Sequence, residues 1–147
     1  MKKVSIIVIT TIIVGTLIFL GIRTFGNKKA KIYIINYNNY EELKNKDGEF
    51  MVIFSMTKNK SVDTLEYEIS KTLKNKKLKI YEINLDKIDK KHYEEFLNDI
   101  NDINDKEVET INVPTFIIYK DNKMIYTHEG FISSKELNKV LDENNIK

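Results

Sequence analysis

The 147-residue sequence predicts an α/β domain with a central mixed β-sheet flanked by helices, preceded by one membrane-spanning helix. Three observations lead to this prediction. Residues 4–22 contain no charged side chain, as expected of a bilayer-spanning segment. Downstream, short β-branched and apolar runs alternate with stretches of helical periodicity, as in domains built from β-α-β units. The last two predicted strands are separated only by a tight turn, so they should form an antiparallel hairpin.

The hydrophobic segment near the amino terminus predicts a membrane anchor. As a helix, residues 4–22 would span roughly 28 Å, close to the ~30 Å hydrocarbon core of a bilayer. A cleaved signal peptide normally has a shorter apolar region, of about 7–15 residues, and a small-x-small cleavage site, which is not found here. We therefore expect an uncleaved anchor in residues 1–22, a polar tether in residues 23–31 and a folded domain in residues 32–147.

Basic residues on both sides of the anchor leave two interpretations of its orientation. Two lysines precede the apolar segment, whereas one arginine and three lysines follow it before Ile32. A strict count of these charges keeps the domain in the cytoplasm. A very short head before a single span is instead the layout of a signal anchor, which exports the chain downstream of it. We expect the second arrangement, a single-pass protein of the cell membrane whose domain lies outside the cytoplasm.

The composition excludes several classes of function. The chain has no cysteine, which rules out disulfide bonds, cysteine-ligated metals and thiol chemistry of its own. Of its 24 lysines and arginines, six precede residue 32, where no acid occurs, so 18 remain against all 22 acids in the domain. A net acidic domain argues against nucleic-acid binding, which requires a basic face.

The motifs give no reason to expect a metal or a cofactor. His92 and His128 lack partners at the spacing of zinc motifs. The acids at 99, 102 and 105 do not follow the calcium-loop pattern, because oxygen ligands and a glycine are missing where that loop needs them. No glycine-rich phosphate loop occurs among the five glycines. We therefore predict no metal, no cofactor and no catalytic residue.

Periodicity predicts five strands and four helices. Residues 50–54 are a continuous apolar run, typical of a central strand covered on both faces. Val62, Leu65, Ile69 and Leu73 recur as one apolar stripe of a helix. The predicted strands cover 31–36, 50–54, 78–85, 115–119 and 124–127, and the predicted helices begin near 38, 61, 88 and 133.

Local signals set the ends of these elements. Asn38 with Glu41, and Ser133 with Glu136, have the spacing of a capping box at a helix start. Residues 121–122, Asp-Asn, can take the positive φ of a tight hairpin turn. The crossovers predict parallel pairing in the first part of the sheet and the hairpin adds an antiparallel pair.

The carboxyl-terminal part of the sequence has a more specific order of features. Val113, Pro114 and Thr115 open a strand, a two-residue turn and a second strand come next, and Gly130 precedes the last capped helix. This order resembles the thioredoxin superfamily, over roughly residues 31–145. With its anchor, the chain looks most like the membrane-tethered thioredoxin-like proteins of Gram-positive bacteria, which include the bacteriocin-transport accessory group. The resemblance implies a thioredoxin-like fold and a cis bond between Val113 and Pro114, beside the start of the second helix.

The sequence departs from that family at the positions of its chemistry. The family's two active-site cysteines correspond to Asn59 and Val62, and its buried carboxylate corresponds to Ile53. A buried acid costs several kcal/mol of desolvation, so its loss together with the thiols is the pattern expected of abandoned redox chemistry. Asparagine, serine and valine cannot supply the nucleophilicity of a thiolate. We therefore predict that the chain is not a thiol oxidoreductase.

The resemblance implies a function that does not need thiols, because family members hold an extended polypeptide against the backbone ahead of the cis-proline. We expect a non-catalytic tethered domain that binds an extended polypeptide or a partner membrane protein. The predicted binding residues are Val113, Pro114, Thr115, Asn59, Lys60, Ser61 and Val62. Three interpretations compete with this one: a proline that merely opens a strand, a structural accessory subunit of a secretion or bacteriocin-handling system, and an exchange factor that relies on its client's cysteines.

Overall fold

The computed structural model describes residues 29–102 and 108–146. Its elements follow the predicted order, with one added 3-10 turn at Leu85–Lys87. The strands are β1 (Ile32–Ile35), β2 (Glu49–Ser55), β3 (Lys79–Asn84), β4 (Thr115–Lys120) and β5 (Lys123–Glu129), and the helices are α1 (Tyr37–Lys44), α2 (Lys60–Thr72), α3 (Lys90–Asn101) and α4 (Ser134–Glu143).

The five strands form one mixed sheet in the order β1-β3-β2-β4-β5. β1 and β2 both run parallel to β3, while β4 is antiparallel to β2 and to β5. The predicted division into a parallel part and an antiparallel hairpin is therefore confirmed. Asp121 and Asn122 have positive φ angles of 48° and 63° at the hairpin turn, as their residue types predicted.

Helices cover both faces of the sheet, because β2 sends side chains into two separate apolar cores. Met51 and Ile53 pack with α2 and α4 on one face. Phe50, Val52 and Phe54 pack with α1 and α3 on the other. All five are at most 5% exposed, and fully burying each such side chain contributes about 1.5–3 kcal/mol. The continuous apolar run thus forms the central strand, as predicted.

The helix starts agree with the sequence signals at one end of the domain and differ at the other. Ser133 and Glu136 form the predicted capping box of α4. The first helix, however, is capped by Asn36 and not by Asn38, because the Asn36 side chain accepts a hydrogen bond from the Asn39 N–H (3.0 Å). The earlier start places Tyr37 and buried Tyr40 three residues apart on the helix face that contacts Phe96.

The predicted anchor and most of the tether lie outside the described residues, as does the centre of the polar stretch at 99–109. Within residues 29–102 and 108–146, no helix is both long enough and apolar enough to cross a bilayer. The tether's last residues are described, and the Ala30 N–H donates a hydrogen bond to the Ser70 carbonyl of α2 (2.8 Å). The chain therefore enters the domain along the side of α2 that faces β1.

Candidate functional site

The turn before β4 presents the chain's single proline at the carboxyl end of the central strand. The Val113–Pro114 bond is cis, as the resemblance implied. The Pro114 carbonyl accepts a hydrogen bond from the Gly130 N–H (2.7 Å), and the Thr115 hydroxyl donates to the carbonyl of Asn112. Pro114 and Thr115 are buried. These contacts fix the turn against the segment after β5.

A groove of about 350 Å³ lies between this turn and the first turns of α2. We call it the Pro114 groove, and its lining residues are Ser61, Thr64, Pro114, Gly130 and Phe131. Two side-chain hydroxyls stand on the helix side, and the exposed ring of Phe131 stands on the other, with 58% of the residue's surface accessible. The groove therefore combines an apolar contact with hydrogen-bonding groups, which suits an extended peptide better than a small ion.

The backbone of Val113 is left available beside the groove. The residue is half-buried, and within the part of the chain that the structure describes neither its N–H nor its carbonyl has a hydrogen-bond partner. Backbone groups that are partly removed from water are normally paired, because leaving them unpaired costs free energy. A donor and an acceptor at this position can pair with the backbone of a bound extended chain.

The start of α2 places the other predicted binding residues in different surroundings. Asn59 is the cap of the helix, and its side chain accepts a hydrogen bond from the Ser61 N–H (2.9 Å). Val62 is only 4% exposed. Asn59 and Val62 line a second, polar pocket of about 230 Å³ behind the 55–59 loop. The structure thus brings Ser61 and Pro114 together in one groove, while Lys60 is exposed and Thr115 faces inward.

The loop that leads into α2 is held by β3 and the turn after it. The Thr57 N–H donates to Oδ2 of Asp86 (2.7 Å), and Nδ2 of Asn84 donates to the Thr57 hydroxyl (3.2 Å). The backbone hydrogen bond from Thr57 lowers the pKa of the Asp86 carboxyl. Lys58 has a φ of 63°, in the left-handed region that lysine seldom adopts. The loop shape is therefore set by contacts with β3, away from the groove itself.

A carboxylate occurs near the family's buried acid position, but on the adjacent strand. Ile53 is fully buried, and its partner in the β2–β3 register is Glu82. Glu82 accepts a hydrogen bond from the Ser55 hydroxyl (2.6 Å) and interacts with Glu66 on α2. Burial, together with the Glu82 charge and hydrogen bond and the Asp63 charge, raises the pKa of Glu66 to about 7.

The raised pKa of Glu66 predicts that this carboxyl makes a contribution to stability that is lost as pH rises. An ordinary glutamate pKa of 4.5 in the unfolded chain means that the unfolded state loses this proton first as pH rises. The Glu66 contribution should therefore fall from about pH 4.5 until the folded pKa is passed near pH 7. Glu66→Gln should remove the fall and add about 1–2 kcal/mol at pH 8, after allowance for partial solvent access.

Urea unfolding of Glu66→Gln and the parent chain at several pH values measures this effect. Glu42→Gln, an exposed glutamate of α1, is the control and should follow the parent at every pH. A Glu66→Gln variant no more stable than the parent at pH 8 would show that the carboxyl carries its ordinary pKa.

Sequence reasoning missed the group that orients Phe131. Nε2 of His128 lies 3.1 Å from the Phe131 carbonyl oxygen, and the Tyr126 hydroxyl lies 3.3 Å from Nδ1. Because a carbonyl can only accept, Nε2 carries a proton and donates it to the Phe131 oxygen, while the Tyr126 hydroxyl faces Nδ1. His128 thereby fixes the backbone at one side of the Pro114 groove. One feature of the sequence could have indicated the contact between His128 and Phe131: His128 and Gly130 flank the last residue of β5.

The candidate site offers no set of metal ligands. Within residues 29–102 and 108–146, no group of three or more histidine or acidic side chains is arranged to hold a metal ion. Glu66 and Glu82 form a pair beneath the loop, and Ser61 has no histidine within the groove lining. Among the residues that line the groove, no histidine or acid stands beside the Ser61 hydroxyl to activate it.

Comparison with solved structures identifies the fold as thioredoxin-like. The chain is similar to thioredoxin f2 of Chlamydomonas reinhardtii, with a TM-score of 0.61 and 12% identity over 80% of this chain and 100% of the other. It is similar to thioredoxin f of spinach chloroplast, with a TM-score of 0.59 and 13% identity over 82% and 99% of the two chains. A thioredoxin of Nicotiana alata gives 0.57 and 15% identity over 80% and 96%. No protein-family model matches the sequence.

The chain therefore has a thioredoxin-like fold without cysteine. Similarity at this level of identity establishes the fold and leaves the activity to be argued from the site. The predicted absence of thiol chemistry follows from the sequence alone, because no residue of the chain carries a thiol.

Proposed function

We propose that this protein is a membrane-tethered, redox-inactive thioredoxin-like domain that holds an extended polypeptide in the Pro114 groove. The observation that carries the proposal is that, among the residues the structure describes, the Val113 backbone has no hydrogen-bond partner and lies next to an open groove with an exposed aromatic side chain. Main-chain pairing supplies affinity in strand-addition modes of recognition, and neighbouring pockets supply selectivity.

The distribution of exposed apolar side chains supports the same site. Met56, on the loop before α2, is 39% exposed, and Phe131 is 58% exposed. Phe131 lines the groove, whereas Met56 lines the neighbouring polar pocket with Asn59 and Val62. Exposed apolar groups beside hydrogen-bonding backbone are typical of surfaces that bind a partner chain. A purely structural proline would need neither the open groove nor the exposed ring.

The tether and the location of the domain belong to this proposal. The uncharged segment 4–22 would anchor the chain in the cell membrane as a single span, with the domain outside the cytoplasm. A polypeptide emerging at the membrane, or an extended segment of a membrane protein, is the class of ligand that such a domain would meet.

Photocrosslinking from position 113 tests the groove. A photoreactive amino acid replaces Val113 in the full chain, held in lipid nanodiscs, and an unfolded, carboxymethylated protein is added as the extended ligand. We expect adducts at position 113 and none from a matched variant with the same group at Lys123, which lies at the far end of β5.

The same experiment separates the competing functions. A structural accessory subunit would give equal adducts, or none, at positions 113 and 123. An exchange factor that relies on its client's cysteines would also give adducts at position 113, but the natural chain would then accelerate insulin reduction above background. The proposed binder gives adducts at 113 with the carboxymethylated ligand.

A further inference from the structure

A second group of exposed apolar side chains lies away from the Pro114 groove. Five large apolar residues are exposed in the part of the chain covered by the structure, and two of them, Met56 and Phe131, lie near that groove. The other three are Tyr33 (42%), Ile34 (76%) and Tyr67 (48%). Tyr33 and Ile34 belong to β1, an outer strand of the sheet, and Tyr67 to α2.

Lysines lie over the two tyrosine rings of this group. Nζ of Lys29 lies 4.2 Å from the centre of the Tyr67 ring, and Nζ of Lys71 lies 5.9 Å from it. Nζ of Lys31 lies 4.6 Å from the centre of the Tyr33 ring. We call this set the β1 edge surface; its members are Lys29, Lys31, Tyr33, Ile34, Tyr67 and Lys71. Tyr33 and Ile34 are consecutive in β1, so the set flanks both faces of this outer strand. Tyrosines, lysines and an exposed aliphatic side chain are the residue types of a membrane–water interface.

The length of the preceding chain limits how far this surface can lie from the anchor. Only residues 23–28 separate the uncharged segment 4–22 from Lys29, and six extended residues reach at most about 20 Å. The Ala30–Ser70 hydrogen bond holds that entry point on α2, beside Tyr67. If residues 4–22 span a bilayer, the short connection in residues 23–28 keeps the β1 edge closer to that bilayer than the other parts of the domain.

We propose that the β1 edge surface lies against the membrane, with its lysines on anionic lipid headgroups and Ile34 and the tyrosines at the headgroup level. This inference rests on the tether of the proposed function. The two surfaces share α2, with Thr64 in the groove and Tyr67 at the β1 edge, but β3 and β2 separate β1 from β4 and the turn that carries Pro114. Docking of the β1 edge therefore directs the Pro114 turn away from the membrane. The groove then stays accessible to a ligand from the aqueous side.

Three acids lie close to this surface and oppose the attraction. Asp63 and Glu66 line a cleft of about 400 Å³ together with Lys29 and Tyr67. The raised pKa of Glu66, about 7, reduces its charge near neutral pH. Glu82 is the cross-strand partner of Ile34 in the register of β1 and β3, so the three lysines face three acids, one of which has a raised pKa. Each lysine at an anionic surface contributes about fivefold to binding, so reversing all three should weaken docking roughly a hundredfold or more.

Tryptophan fluorescence tests the proposal, because the chain has no tryptophan of its own. Ile34→Trp is placed in the full chain, reconstituted in vesicles of phosphatidylcholine and phosphatidylglycerol with bromine on the upper acyl chains. We expect blue-shifted emission that the bromines quench, and the same for Tyr67→Trp if Ile34→Trp disturbs folding. Phe131→Trp, in the Pro114 groove, is the control and should not be quenched. Reversing Lys29, Lys31 and Lys71 to glutamate should abolish the quenching.

The outcomes distinguish the two proposals. A chain that does not float with the vesicles contradicts the tether of the proposed function. A chain that floats, but whose tryptophans at 34 and 67 are not quenched, contradicts the β1 edge surface alone. A blue shift without quenching, accompanied by chemical crosslinking of two copies through β1, would assign the edge to a second copy and overturn the proposal. Quenching that survives the triple lysine reversal would overturn the role of anionic headgroups.

Discussion

Asn59→Cys combined with Val62→Cys is expected to give the domain a thiol-disulfide activity that the natural chain does not have. The parent chain should be at background in an insulin-reduction assay with dithiothreitol, because it contains no thiol. The double variant should form an internal disulfide and accelerate insulin precipitation well above that background. The expected change is from no insulin reduction above background in the parent chain to catalytic turnover in the double variant.

The geometry at the start of α2 is the reason for this expectation. Asn59 is the helix cap and Val62 is the third helical residue, so their side chains are neighbours on one helix turn, within disulfide reach. A thiol at position 59 is half-exposed at a helix amino terminus, which lowers a cysteine pKa, while a thiol at position 62 is buried. The thiol introduced at position 59 would therefore be the attacking group, beside the Pro114 groove.

A cysteine pair with the same local geometry elsewhere is the matched control. Ser133→Cys with Glu136→Cys occupies the cap and third residue of α4. This pair should form a disulfide but stay at background in the insulin assay, because its helix start does not line the Pro114 groove. Equal activity from the two pairs, or none from the pair at positions 59 and 62 despite a formed disulfide, would contradict a retained thioredoxin-like site.

Phe96→Ala is expected to cause the largest loss of stability in the domain, about 3–5 kcal/mol. Phe96 is 1% exposed on α3, and its ring centre lies 4.5 Å from that of Tyr40, 4.9 Å from that of Phe54 and 5.4 Å from that of Tyr37. Removing the ring leaves a cavity between α1, α3 and β2. A loss of this size is a large fraction of the stability of a typical domain.

Urea unfolding measures the effect of Phe96→Ala. Its control is Leu97→Ala, because Leu97 is the next residue of α3 but is only half-buried. The control should cost clearly less, about 1–2 kcal/mol. Similar losses for the two variants would mean that this side of α3 does not form the core.

Much of the fold could be predicted because its signals are local. The apolar run at residues 50–54 is typical of a buried strand, and the apolar stripe from Val62 to Leu73 has the period of a helix. The capping box at Ser133 is contained within four residues. The start of α1 at Asn36 was missed because packing of Tyr37 against Phe96, a contact between distant segments, decides which asparagine caps the helix.

The candidate site was only partly predictable, because its members meet through the fold. Pro114 carries a recognisable motif, and Ser61 follows from the spacing to the central strand. Phe131 joins them only through the hairpin and the hydrogen bond from His128. The interaction of Glu66 with Glu82 connects α2 to β3, and nothing in either local sequence indicates it. Counting from the central strand also predicted Asn59 and Val62 as site residues. In the structure Asn59 caps α2 and Val62 is buried in the core, and the count along the sequence does not show these roles.

Nitrogen-15 NMR of the amide groups tests the central claim most directly. The full chain in lipid nanodiscs is titrated with an unfolded, carboxymethylated polypeptide, and the amide signals of Val113, Gly130 and Phe131 are followed against that of Lys123. Binding in the Pro114 groove predicts that the first three signals shift together and saturate while Lys123 stays unchanged. Unchanged signals at Val113 and Gly130 at saturating ligand, or shifts confined to other parts of the domain, would contradict a peptide-binding role for this cysteine-free thioredoxin-like fold.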